Sequence, residues 1–160
     1  MKALSLWQPW ASAISTRAKT IETRHWATSY RGPLAIHAAK RCIKDELSNF
    51  DEELLWYGAL DRRPLPIPVP YLWEVLPFGA IVAVAELVDC RRTESFGVEI
   101  NDSLNRFWDS AEIYGWTERD MGDFYPGRFG WVLRDIKPLP EPIPYRGQQG
   151  LFEIPDELIL

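Results

Sequence analysis

The sequence predicts an α+β domain, a small and mostly antiparallel β-barrel with about three helices against it. Three features of the 160 residues point there. Short stretches with β-type alternation are dispersed along the whole chain. Other stretches carry apolar residues at helical spacing, and the two kinds do not alternate regularly, as a doubly wound parallel sheet requires. The length fits one domain over residues 1–160, enough to bury roughly 68–70% of the unfolded surface.

Residues 2–6 alternate Leu4 and Leu6 with Ala3 and Ser5, which reads as a first strand. Pro9 suits the first turn of a helix, and Trp7, Trp10, Ala11 and Ile14 recur at i, i+3, i+4 and i+7, so that face packs inward. Residues 19–26 follow as a strand, with Lys19 in the turn before it. Arg31-Gly32-Pro33 turns into a buried strand over 34–39, where His37 points opposite Leu34 and Ile36. A histidine so placed is more often a hydrogen-bonded structural residue than a catalyst.

Ile43, Leu47, Phe50 and Leu54 then form the stripe of a surface helix, and the prolines between Arg62-Arg63 and Pro70 make a stiff extended loop. A short helical turn near 71–77 leads into the longest β-favouring run, 79–90, expected as the central strand. Leu104, Phe107, Trp108 and Ala111 show helical spacing after an Asn101 or Asp102 cap, with Glu112 near the end. Residues 115–126 read as loop. Residues 129–136 read as a strand, the alternating prolines from Pro138 to Pro144 extend it along an edge, and a turn at 147–150 opens a last strand over 151–154.

Composition narrows the function classes. Apolar runs fall short of the ~20 residues that span a bilayer, and the apolar stretch at the N-terminus is too short for a signal peptide, so cytoplasmic residence is expected. Cys42 and Cys90 form no disulfide framework or metal-ligand pair, and with only His25 and His37 beside them the expected site is free of metal and cofactor. Residues 1–44 hold eight Lys/Arg against Glu22 alone, a net of +7, while the remainder carries −12 of the total of −5. A protein that grips a long duplex by its phosphates is usually basic overall. A basic face on an acidic body fits a short single strand or a nucleotide better than extended duplex DNA.

The candidate site lies in Lys19-Thr20-Ile21-Glu22-Thr23-Arg24-His25-Trp26. On an extended strand Glu22, Arg24 and Trp26 share one face, with Lys19 at the head of the row. Arg and Lys donate, Glu accepts and Trp stacks, the set of groups that holds a planar polar ligand. A solvated face whose Glu22 and Arg24 simply pair is the plain alternative. Trp10 offers a second stacking surface and Arg31 a second phosphate contact, although Trp7 and Trp10 both fit core packing on the helix stripe.

The opening Leu4-Ser5-Leu6-Trp7-Gln8-Pro9-Trp10-Ala11, then Lys19-x-x-Glu22-x-Arg24-x-Trp26, Tyr30-Arg31-Gly32, Phe129-Gly130-Trp131-Val132 and the tail Pro142-Ile143-Pro144-x-x-Gly147-x-x-Gly150-Leu151-Phe152 closely resemble the ASCH domain family over nearly the whole chain. The resemblance implies a PUA-like barrel with the lysine motif in a cleft, and a role in binding RNA or another nucleic acid. One departure stands out: Arg17-Ala18 precede Lys19 where the family usually has a glycine. Some similar proteins are amidohydrolases acting on acylated cytidine through the motif lysine, a threonine three residues later and a distant glutamate. Here Glu22 replaces that threonine, and Glu112 is the candidate remote acid. Others are ribonucleases, for which Lys19, Glu22 and Arg24 could supply base and charge stabilisation. An interaction protein that uses its basic face or proline loop is the remaining alternative.

Overall fold

Valine, isoleucine and alanine dominate the run after Gly79, and this run becomes the spine of the sheet. The structure is a computed structural model that describes residues 1–46, 72–97, 100 and 118–159. Its elements are β1 (Lys2–Leu6), α1 (Trp10–Ser15), β2 (Ile21–Arg24), β3 (Gly32–Ala38), α2 (Leu72–Val75), β4 (Ala80–Arg92), β5 (Phe129–Pro144) and β6 (Leu151–Glu153). One six-stranded sheet runs in the order β2-β5-β4-β3-β1-β6. Only β1 and β3 pair in parallel within it. Register shifts at Ile81/Ala83, Val84/Glu86 and Leu87/Asp89 break the β4–β5 ladder. Such irregularities increase local twist, and the sheet curls into a half-barrel with β2 and β6 as its edges. Of the helix expected from Ile43 through Leu54, the structure describes a 3-10 turn at Lys44–Glu46; the rest of it, the helix expected over Leu104 to Ala111, the proline loop at 62–70, and Glu112 lie outside the described residues. No helix among the described residues is long and apolar enough to cross a membrane.

Alternation divides the core between two sheet faces. Leu4, Leu6, Leu34, Ile36, Leu87, Trp131 and Leu133 pack on one face with Ala11 and Ile14 of α1. Ala3, Ala35, Ile81, Phe152 and Ile154 pack on the other, beneath Leu139, Ile143 and Tyr145. Each Leu or Ile so buried contributes about 1.5–3 kcal/mol. β5 is a single strand through its prolines because Pro138, Pro140, Pro142 and Pro144 fall on every second residue. Their missing N–H groups therefore all lie along one side, while β4 pairs the other. Only Phe129 to Val132 also pair with β2, so the prolines begin where that neighbour has ended.

α1 starts later than the spacing predicts. Gln8 is fully buried, its amide oxygen accepting from the Ser12 backbone N–H at 3.1 Å and its amide nitrogen donating to Ser12 Oγ and the Pro77 carbonyl, each at 2.8 Å. The Gln8–Pro9 peptide is cis. The helix begins only after Pro9, and Trp7 falls outside it. After α1, Arg17 adopts φ +67°, a conformation that glycine takes freely and that costs other residues about 1 kcal/mol. The turn before Lys19 is held in place by Arg17 Nε, which donates to the Ile136 carbonyl at 3.0 Å.

His37, on β3, ties β1 to the residue that follows β5. Its Nε2 lies 2.9 Å from the Tyr145 carbonyl, which only accepts, so Nε2 carries the proton and Nδ1 accepts from Ser5 Oγ at 3.0 Å. Gly147 lies so close that a Cβ there would sit 2.4 Å from His37 Cε1 and 2.6 Å from Ser5 Oγ, which explains one glycine of the tail motif. Burial lowers the His37 pKa from 6.5. Between that lowered value and 6.5 the unfolded chain binds more protons than the folded one, so stability rises with pH in that window and falls as pH drops through it. Denaturant titrations from about pH 7.5 to about pH 5.5 are expected to show wild type losing stability relative to His37→Gln on acidification. Parallel profiles would contradict this role.

Candidate functional site in a cleft beside β2

A cleft of about 950 Å³ opens between the end of β1 and start of α1, the strand β2, and the loop 119–128. The loop is fastened to β2 by side chains on both partners. Glu118 accepts from the Thr20 N–H, from Thr20 Oγ1 at 2.6 Å and from the Ile21 N–H at 3.2 Å. Asp123 N–H donates to Thr23 Oγ1 at 2.9 Å. Gly122 permits the approach, since a Cβ there would meet Phe124 at 2.6 Å and Thr23 Cγ2 at 3.2 Å. Glu118 is fully buried. Burial pushes its carboxyl pKa up, while the Lys19 charge and the three donors oppose that rise.

Glu22 and Arg24 sit two apart on β2 and both line the cleft. Glu22 is 8% exposed. Its Oε2 lies 3.8 Å from Lys19 Nζ and its Oε1 3.4 Å from Arg24 Nε. No donor among the described residues forms a hydrogen bond to either oxygen. Arg24 Nη2 donates to the Ser5 carbonyl at 2.7 Å, which aims the guanidinium along the cleft floor, while its buried Nε has no hydrogen-bond partner among the described residues.

The other residues singled out in the sequence are divided. Trp10 lines the cleft and also packs against Ile43, Trp73 and Leu76. Lys19 is fully buried behind Glu22, its ammonium donating to the Ile21 carbonyl, and is not among the lining residues. Trp26 stands beyond the end of β2, edge-to-face on Trp131 with centroids 4.6 Å apart. Arg31 donates to the Thr28 and Tyr30 carbonyls and faces Asp89 Oδ1 at 3.4 Å. Neither Trp26, Arg31 nor His37 lines the cleft.

Sequence reasoning missed Trp7, Tyr125, Arg128 and Glu118. Trp7 is 46% exposed at the cleft with the Arg41 guanidinium 5.2 Å over its ring, and Tyr125, which also lines the cleft, is 80% exposed. Arg128 Nε stands 3.1 Å from Asp123 Oδ2. The aromatic and acidic composition of 115–126 was the available signal for Tyr125 and Glu118, but nothing in it tells the buried Glu118 from the other acids of the stretch. Among the described residues, no group of three or more His, Cys, Asp or Glu side chains is arranged to hold a metal ion.

A family model for the ASCH domain matches residues 4–131. Activating signal cointegrator 1 of Mus musculus is 32% identical over 112 residues, 69% of this chain and 18% of that protein. The Homo sapiens protein of the same name is 32% identical over 100 residues, 62% of this chain and 16% of that one. The chain thus spans less than a fifth of the length of these relatives. Among solved structures, ASCH from Zymomonas mobilis aligns over 98% of this chain and 88% of its own at 17% identity, with a TM-score of 0.49. A serine-to-alanine mutant of that same protein aligns over 98% and 89% at 18% identity, with a TM-score of 0.47. With most of its length matched by the family model, the chain belongs to the ASCH domain family.

Proposed function

We propose that the cleft binds a nucleobase-containing ligand, a short single-stranded RNA or a modified nucleotide. The observation that carries this reading is the pair on the floor: a nearly buried carboxylate that accepts no hydrogen bond from the described residues, beside the Arg24 guanidinium, both lining the cleft. Buried polar groups are normally satisfied, so an unpaired acceptor beside a cationic donor group in a cleft favours a ligand that offers both a donor and an acceptor. Trp7 and Tyr125 at the rim supply faces on which a base can stack. Charge within the cleft is mixed, Arg24, Arg119 and Arg128 standing among Glu22, Asp120 and Asp123. Elsewhere Lys2 pairs with Glu153 and Arg31 with Asp89. That balance suits a short ligand over a duplex tracked by its phosphates.

The hydrolytic alternatives receive less support from this geometry. Lys19 is engaged behind Glu22 and presents no base to the cleft. Glu22 is then the acid/base group that the β2 floor offers to a ligand.

The test is equilibrium binding of a short single-stranded RNA, together with a search for products by mass spectrometry on the same RNA and on acylated cytidine. We expect binding without cleavage. Trp7→Ala is expected to weaken it by about 1–3 kcal/mol, the usual worth of one stacked base, with melting temperature unchanged. Product formation abolished by Glu22→Gln would replace the binding module with a hydrolase. Unchanged affinity in Trp7→Ala would remove the rim from the site.

A further inference from the structure

We infer that the base admitted to this cleft is guanine, read along its Watson–Crick edge by Glu22 and Arg24. The inference rests on the nucleobase-binding reading above and sharpens it. Two buried carboxylates flank Lys19, and they differ. Glu118 accepts from three donors of its own chain. Glu22, on the cleft floor, accepts from none of the described residues; its cationic neighbours stand at 3.4 Å and 3.8 Å without hydrogen-bond geometry. Its two oxygens therefore await two donors, and a carboxylate cannot supply any itself.

The four standard bases answer that requirement differently. Uracil offers one N–H between two carbonyl oxygens, which would face the carboxylate oxygens repulsively. Adenine and cytosine each offer one amino group beside a ring-nitrogen lone pair, so one Glu22 oxygen would meet an acceptor. Guanine alone offers adjacent N–H donors, N1–H and the N2 amino group, parallel and matched to the two oxygens of one carboxylate. Next along the same edge comes O6, an acceptor, and next to Glu22 lies the Arg24 guanidinium, a cationic donor group that lines the cleft. The order donor, donor, acceptor on the base thus meets acceptor, acceptor, donor on the protein. Trp7, which lines the same cleft and is 46% exposed, supplies the ring that the proposed function requires.

The experiment is a competition among uridine pentamers whose central position is guanine, hypoxanthine, adenine or cytosine. Hypoxanthine keeps N1–H and O6 but lacks the amino group. We expect the guanine pentamer to bind about tenfold more tightly than the hypoxanthine one, and adenine and cytosine to bind more weakly still. In Glu22→Gln, whose amide offers only one acceptor, the guanine preference should collapse while the variant keeps its melting transition. Equal binding of all four pentamers would overturn guanine readout and leave a base-tolerant stacking cleft. Binding of none would overturn the nucleobase reading with it. A guanine preference that persists in Glu22→Gln would assign the selectivity to another group and overturn the role given to Glu22.

Discussion

Replacing Glu118 by alanine is expected to destabilise the domain by roughly 3–5 kcal/mol, the loss typical when one member of a buried charged network is removed. The substitution orphans the Thr20 and Ile21 N–H groups and the Thr20 hydroxyl, all of which donate to that carboxylate. Each buried donor left unsatisfied costs about 1–3 kcal/mol. It also removes a negative charge that acts on buried Lys19. Against a total stability of roughly 5–15 kcal/mol, the variant would populate unfolded chain at moderate temperature. Glu118→Gln keeps one acceptor oxygen and should lose less. Denaturant unfolding at neutral pH measures both, and a loss below about 1 kcal/mol for alanine would show that the loop is held by other contacts.

Arg24→Ala is expected to reduce affinity for short single-stranded RNA by about 10- to 100-fold, the range for losing a charged hydrogen-bond donor in a partly buried site. The guanidinium spans the cleft floor from the Ser5 carbonyl to the Glu22 carboxylate, so the substitution removes a ligand donor and the neighbour that orients the ligand acceptor. Arg24→Lys should also bind weakly, since an ammonium cannot bond Ser5 and a ligand through one planar fork. Stability should fall as well, because the mostly buried arginine stands 3.4 Å from the nearly buried Glu22 carboxylate. Fluorescence anisotropy beside a thermal melt separates the two effects. Affinity within about twofold of wild type in a folded variant, well short of a lost charged donor, would count against the cleft.

Much of this arrangement is legible in the chain because it depends on local periodicity. Strands β1, β3 and β4 follow from alternation and from β-branched and alanine-rich runs, and Glu22 and Arg24 share a face because strand side chains repeat every two residues. Trp26 left that face because β2 ends at Arg24, paired to Phe129, and the ring then finds Trp131. Trp7 went the other way: helical spacing placed it inward, but Gln8 satisfies the Ser12 N–H and the helix begins beyond Pro9. Lys19 reads as a ligand group by residue type, yet the turn at Arg17 delivers it beneath the strand. Substituting Lys19 should therefore affect folding as well as binding. Glu118 lies 97 residues from Ile21 along the chain, and no periodic signal reaches that far.

Photo-crosslinking of a short single-stranded RNA to the intact domain, with modified peptides mapped by mass spectrometry, tests the cleft most directly. Adducts on Trp7 or Tyr125 that disappear in Arg24→Ala are the expected result. Adducts confined to residues that do not line the cleft, such as Arg31 or Lys2, would contradict it, as would adducts at the rim that Arg24→Ala leaves undiminished.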